Sequence, residues 1–269
     1  MTFETMTFIA AGAVAGGFIN GLAGFGIALF ALGWWLHVLA PVEAVAMVLV
    51  TGVLTGLQGA YLVRRSIEPK RLARFLVPGL IGIPIGMQLL QFIGATELKL
   101  LIGVFLITYG AFFILRSELP KLERETPITD GSIGMIGGIL GAIAGLSGAL
   151  PTMWLAMRAW PKDRTRGVLQ PYNLVILAVS ALLLALTGAY TPKVLKALAL
   201  AIPFSILGAT IGIFVYRRLS DLGFRRLLVA MMLVSGIVLL ARELTTNLTG
   251  SASALAQPIT SSERSSVSP

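Results

Sequence analysis

The chain contains no cysteine. Disulfides, thiolate chemistry and cysteine-based metal sites are therefore excluded. It has a single histidine, His37, and no metal triad, Walker A loop or dinucleotide-binding fingerprint. No cofactor is implied, and ATP drive would need another subunit. Charge is scarce too, since Asp, Glu, Lys and Arg make up 12% of residues. Soluble domains carry about 25%. What fills the space is apolar: 56% hydrophobic residues over 269 positions, with a mean hydropathy of +0.88.

Uncharged runs occupy 5–36, 44–63, 75–96, 100–115, 131–157, 167–192, 197–216 and 227–241. About 20 apolar residues span a bilayer core, so the expected fold is an all-α polytopic membrane protein in the lipid bilayer. The shorter runs at 100–115 and 227–241 are extended by Lys99, Arg225 and Arg226, whose stems can snorkel. A net charge of +9 does not point to nucleic acid, because the Lys and Arg lie between hydrophobic segments. That is where the positive-inside rule expects them. The opening "MTFETMTF" has no basic n-region and argues against a cleaved signal peptide. The Ser/Pro-rich stretch 243–269 reads as a disordered polar tail.

The chain repeats itself. Gly16, Gly17, Ala23 and Gly24 recur 121 residues later as Gly137, Gly138, Ala144 and Gly145, while Pro78, Gly82 and Gly86 are echoed by Pro203, Gly208 and Gly212. The expected layout is two repeats of four hydrophobic segments, 1–115 and 131–242, joined by a polar connector at 116–130. Such repeats are a transporter signature; duplication kept only for packing is the alternative.

If all eight segments cross, the 21 Lys and Arg divide 12 to 9 and set no orientation. If the first segment of each half is instead a re-entrant hairpin, loops 64–74, 116–130, 158–167 and 217–226 share one side and hold 16 of the 21. That division obeys the positive-inside rule, puts both termini outside and makes the repeats inverted. Residues 8–36 as one helix would be about 43 Å long against a core of roughly 30 Å. Steep tilt is the alternative way to absorb the excess.

The hairpin reading also accounts for "GGFINGLAGFGIALF" at 16–30, which carries five glycines and no charge. Non-helical backbone at membrane depth is tolerated only where protein buries it or it lines a wet cavity. Breaks at 21–26 and 145–148 would let half-helices end near the midplane, where a free helix N-terminus attracts an anion. Small-xxx-small packing is the other use of such glycines.

"GGFINGLAGFG" and "GGILGAIAGLSG", each opening one half of the chain, resemble the sulfite exporter TauE/SafE family of permeases, as do "RRSIEPKRLARF" and "PGLIGIPIG". The likeness runs from residue 8 to about 242. The family pattern has a longer glycine run followed by proline; the first half lacks both, and the second keeps Pro151. The resemblance implies a multi-pass plasma-membrane transporter of small anions, sulfur-containing ones such as sulfite, sulfonates or thiosulfate.

Polar side chains inside the apolar runs are few. Asn20, Gly24 and Gly26 mark the first break, and Gly145, Ser147, Gly148 and Thr152 the second. Gln170, Tyr172 and Asn173 cluster around Pro171, which removes a backbone donor, and Thr51, Thr55 and Gln58 share a helical spacing. These neutral groups suit an oxyanion that must bind and then leave; bridging helices is their other role. The candidate substrate-binding set is Asn20, Gly24, Gly26, Gly145, Ser147, Gly148, Gln170, Tyr172 and Asn173. His37 follows Trp34 and Trp35 and reads as part of an interfacial aromatic belt, and Glu43 as a helix-start carboxylate. "GLSG" at 145–148 also fits the GxSG element of rhomboid intramembrane proteases. A serine nucleophile needs an adjacent base, and the only histidine lies upstream, so an enzyme is not expected. A passive anion channel and a carboxylate transporter remain the rival readings. Substrate, direction, coupling ion and oligomeric state are not set by the sequence.

Overall fold

The computed structural model describes residues 2–115, 126–158, 160–220 and 223. Those residues form helices α1 (Phe3–Ala23), α2 (Ile27–Trp35), α3 (Pro41–Val63), α4 (Pro69–Leu90), α5 (Ala95–Leu115), α6 (Pro127–Ala144), α7 (Ala149–Ala156), α8 (Lys162–Leu186) and α9 (Pro192–Arg218), with no strand among them. Six helices are long and apolar enough to cross a membrane. The fourth hydrophobic segment of the second half, 227–241, and the tail 243–269 lie outside the described residues.

Local chemistry sets the helix ends. Proline opens α3, α4, α6 and α9, where its missing N–H would have been unpaired anyway. Thr2 and Thr191 cap α1 and α9 by accepting from the N–H of Thr5 and Val194. Two long helices stop at a glycine in the left-handed region, α1 at Gly24 (φ 83°) and α6 at Gly145 (φ 70°). Other residues pay about 1–2 kcal/mol for that conformation.

After each stop the chain doubles back. The indole N–H of Trp35, at the end of α2, donates to Ile9 O near the start of α1 (3.1 Å). Gly12 and Gly16 leave room for Trp35, Ile27 and Ala31, since a Cβ at either would collide with them. In the same way Trp154 of α7 donates to Asp130 in the first turn of α6 (2.7 Å), and Pro151 lies over Gly137. The helix α6 starts earlier than the expected connector boundary. Pro127–Asp130 form its first turn, because Asp130 is buried and ion-paired with Arg158 (2.7 Å).

Backbone-to-backbone packing joins the elements. Gly17 and Gly21 of α1 sit on the carbonyls of Ser205 and Ala209, and Gly208 and Gly212 of α9 on those of Val14 and Phe18. The rising order on both helices makes α1 and α9 parallel. Gly134 and Gly138 of α6 meet Phe75 and Gly79 of α4, while Gly82 and Gly86 meet Met135 and Ile139, so α6 and α4 are parallel too. Between these pairs α3 and α8 run antiparallel, with Gly52 against Leu177, Gly56 against Leu174 and Gly59 against Gln170. Small residues permit such approach in lipid, where dispersion and close contact replace the hydrophobic effect. The residues Ala44–Leu49 of α3 are fully buried, whereas α4 and α9 turn Val77, Ile81, Leu207 and Phe214 outward.

Candidate functional site at the touching helix breaks

The helix α8 carries Arg166, Gln170 and Asn173 at spacings of four and three, hence on one face. At 1.5 Å per residue Asn173 stands about 16 Å along α8, close to the middle of its 25 residues. There it touches both breaks. Its amide Nδ2 donates to Gly24 O (3.3 Å), and its Oδ1 accepts from the Ser147 hydroxyl. The breaks also meet directly, since a Cβ on Gly148 would lie 2.5 Å from Phe25 Cβ.

One turn away, Gln170 Nε2 donates to Gly56 O (3.1 Å). Its Oε1 occupies the place a Cβ of Gly24 would take, 2.5 Å away. Asn20 donates from Nδ2 to Thr55 Oγ1 (2.7 Å) and Gly52 O (3.4 Å). The Asn20 Oδ1 is buried with no partner among the described residues. Asn20, Ser147, Gln170 and Asn173 are each at most 2% exposed. Buried polar groups with an open valence are costly, so this cluster is polar where the fold could have been apolar.

Asn20, Gly24, Ser147, Gly148, Gln170 and Asn173 thus converge at the two breaks, whereas Gly26, Gly145 and Tyr172 have different surroundings. Gly26 (φ 94°) packs on Ile19, and Gly145 on Val48 and Ala28, so these glycines shape the turns in apolar company. Gly148 provides the close approach to Phe25. Tyr172 points elsewhere on α8. Its hydroxyl donates to Gly134 O (2.6 Å) and its ring meets Phe75 edge-on, tying α8 to α6 and α4. Thr152 bonds its own helix at Gly148 O. His37 bonds Gly33 O and stacks on Phe8, while Glu43 caps α3 at the Ala40 N–H and pairs with Lys193 (2.7 Å).

Arg166 is the residue the sequence reading missed. It is 2% exposed. Its NH2 donates to Gly21 O (2.8 Å), its NH1 to Leu22 O (3.3 Å) and its Nε to Gln170 Oε1 (3.3 Å). The guanidinium lies over the Tyr216 ring (4.3 Å), and Tyr216 in turn donates to Asp163 (2.8 Å). A set of neutral donors alone therefore leaves out a buried cation on the same face of α8. Its membership in the 166/170/173 stripe was readable; its neighbours Lys162 and Arg164 placed it among loop charges instead.

Each break joins two opposed dipoles. The N-caps of α2 and α7, Gly26 and Gly148, provide no side-chain hydrogen bond to the first turn, leaving a partial positive charge. The carboxyl ends of α1 and α6 stand beside them with the opposite sign. Toward the Lys162 end of α8 the bundle is tied by ions. Glu68 accepts from Arg164 (2.6 Å) and Arg71 (2.8 Å), and the Arg164 hydrogen bond holds its carboxyl below the ordinary value. The ring of Trp160 receives both guanidiniums, at 4.7 and 4.9 Å.

The family model described as Sulfite exporter TauE/SafE matches residues 8–239. No curated protein and no solved structure matches the chain.

Proposed function

The chain belongs to the sulfite exporter TauE/SafE family of membrane transporters, and on that premise we propose that it is a secondary transporter of small anions. The cargo is a sulfur-containing oxyanion or an organosulfonate, moved across the plasma membrane. It is a multi-pass protein of several apolar helices. The proposed site comprises Asn20, Gly24, Ser147, Gly148, Gln170 and Asn173. One observation carries this reading: Asn173 bonds Gly24 of one break and Ser147 of the other. A ligand that separated or replaced those bonds would move both hairpins at once.

The topology we propose is two inverted repeats, each led by a re-entrant hairpin. Three observations support it. The helices α2 and α7 lie back along α1 and α6. The helix α1 pairs with α9 as α6 pairs with α4, each hairpin docking on the third segment of the other half. The helices α3 and α8 are antiparallel, whereas a plain eight-span chain would run its second and sixth segments in the same direction. Inverted repeats with broken helices at their interface suit alternating access.

The test is a flux panel in proteoliposomes containing sulfite, thiosulfate, sulfoacetate, a carboxylate, a neutral solute and a cation. Uptake of the sulfur anions above the rest is expected. Preference for the neutral solute or the cation would overturn the anion reading, and preference for the carboxylate would remove sulfur from it.

A further inference from the structure

Charge at the paired breaks does not come from the helix ends alone. Each half-helix N-terminus offers about +0.5 charge, but each abutting helix C-terminus offers about −0.5. At the α6–α7 break these offset one another. There the end of α6 is closed by backbone, Gly145 N–H to Gly141 O (2.8 Å). The end of α1 has the same backbone closure, Gly24 N–H to Asn20 O (2.8 Å), so the turn does not need a cation to form. It has one nonetheless. Arg166 holds Gly21 O and Leu22 O in the last turn of α1, masking the negative end of that helix and leaving the positive end of α2 unopposed. Among the described residues no carboxylate is ion-paired with Arg166. Its neighbours are carbonyls, Gln170 and the face and hydroxyl of Tyr216, with the Asp163 carboxylate reached only through Tyr216. The facing helix α3 has no charged residue from Ala44 to Val63. An ionised group buried with no carboxylate in direct contact is expensive, and in a membrane helix it marks function.

We propose that Arg166 supplies the net positive charge of the anion site, close to one unit, and so sets its preference for a singly charged oxyanion over a neutral molecule of the same shape. The inference rests on the transport reading above and deepens it. Its guanidinium fork matches two oxygens of a sulfonate or sulfite as well as it matches two carbonyls. Substrate oxygens would replace Gly21 O and Leu22 O, and the freed carbonyls would unlatch α1 from α8.

The experiment measures labelled sulfite uptake by the full chain in proteoliposomes, with methanesulfonate and its neutral analogue dimethyl sulfone as competitors. Wild type should be inhibited by methanesulfonate and not by the sulfone. In Arg166→Gln the half-inhibiting methanesulfonate concentration should rise about tenfold or more, as expected for losing a charge-assisted contact. Arg166→Lys, which keeps the charge and loses the fork, should stay within about threefold of wild type. Melting temperature in detergent is recorded for each. If Arg166 only caps α1, the glutamine variant will lose stability and maximal rate with its methanesulfonate sensitivity unchanged, which overturns the proposal. Should the glutamine variant not fold, a tenfold loss of sensitivity in Arg166→Lys overturns it as well. A wild type that takes up no sulfite and no other anion overturns the transport reading itself, a result distinguishable from either variant outcome.

Discussion

Replacing Gly24 by alanine perturbs two things that can be separated. The first is backbone strain, since Gly24 has φ 83° and an L-residue there costs about 1–2 kcal/mol. The second is Gln170, whose Oε1 lies 2.5 Å from the new Cβ. Gln170 would have to leave its bonds to Gly56 O and Arg166, a further loss of about 1–3 kcal/mol for two hydrogen bonds. Gly188 is a matched control. It has φ 76°, and nothing lies within 4 Å of its would-be Cβ, so Gly188→Ala incurs only the strain. Thermal unfolding in detergent should rank wild type above Gly188→Ala and that above Gly24→Ala. Sulfite uptake should survive in Gly188→Ala and fall at least tenfold in Gly24→Ala. Equal stability and equal uptake in the two variants would refute the idea that Gly24 is held against the Gln170–Arg166 stripe.

Asn173→Ala removes the bridge between Gly24 and Ser147; it should weaken anion binding by about 0.5–3 kcal/mol, read as a raised KM in uptake. Glu68 makes a pH prediction. Its carboxyl is held below 4.5 by the Arg164 hydrogen bond, so the tie is complete above 4.5 and lost as pH falls through the lowered folded value. Melting curves of wild type and Glu68→Gln should therefore differ at neutral pH and converge in acid, and a constant difference would contradict this. Topology is tested by fusing alkaline phosphatase and a fluorescent protein separately after Arg242. Phosphatase activity without fluorescence is expected, and the reverse would contradict three crossings per half and restore a plain eight-span or other even arrangement with the termini inside.

The helical fold and both breaks were legible because they depend on local chemistry. Gly24 and Gly145 are the residues that can take a left-handed turn cheaply, and uncharged runs mark membrane spans. The docking of one hairpin on the other half was less so. Repeated glycines at 17, 21, 208 and 212 say that some backbone approaches, but not which one. Asn173 and Ser147 stood out as polar groups in apolar runs, yet their meeting across 26 residues depends on α7 folding back. Tyr172 shared the same polar cluster in sequence, and the 100° turn between neighbours sent it to Gly134 instead. In the sequence Asp130 ends the polar connector 116–130 and Arg166 lies in the basic loop 158–167, so neither stands out as buried. Their burial is a consequence of tertiary packing against Arg158 and the end of α1.

If the touching breaks hold the transported anion, a probe at their contact must sense it. The chain has no native cysteine, so Ser147→Cys places a single thiol at that contact. Its labelling by a small membrane-impermeant thiol reagent should be measured from each face of sealed vesicles, with and without sulfoacetate. Labelling should be slow, reachable from both faces as the cycle turns over, and slowed further by sulfoacetate but not by glycerol. Labelling that proceeds at the same rate whatever transported anion is present would contradict an anion site at that contact.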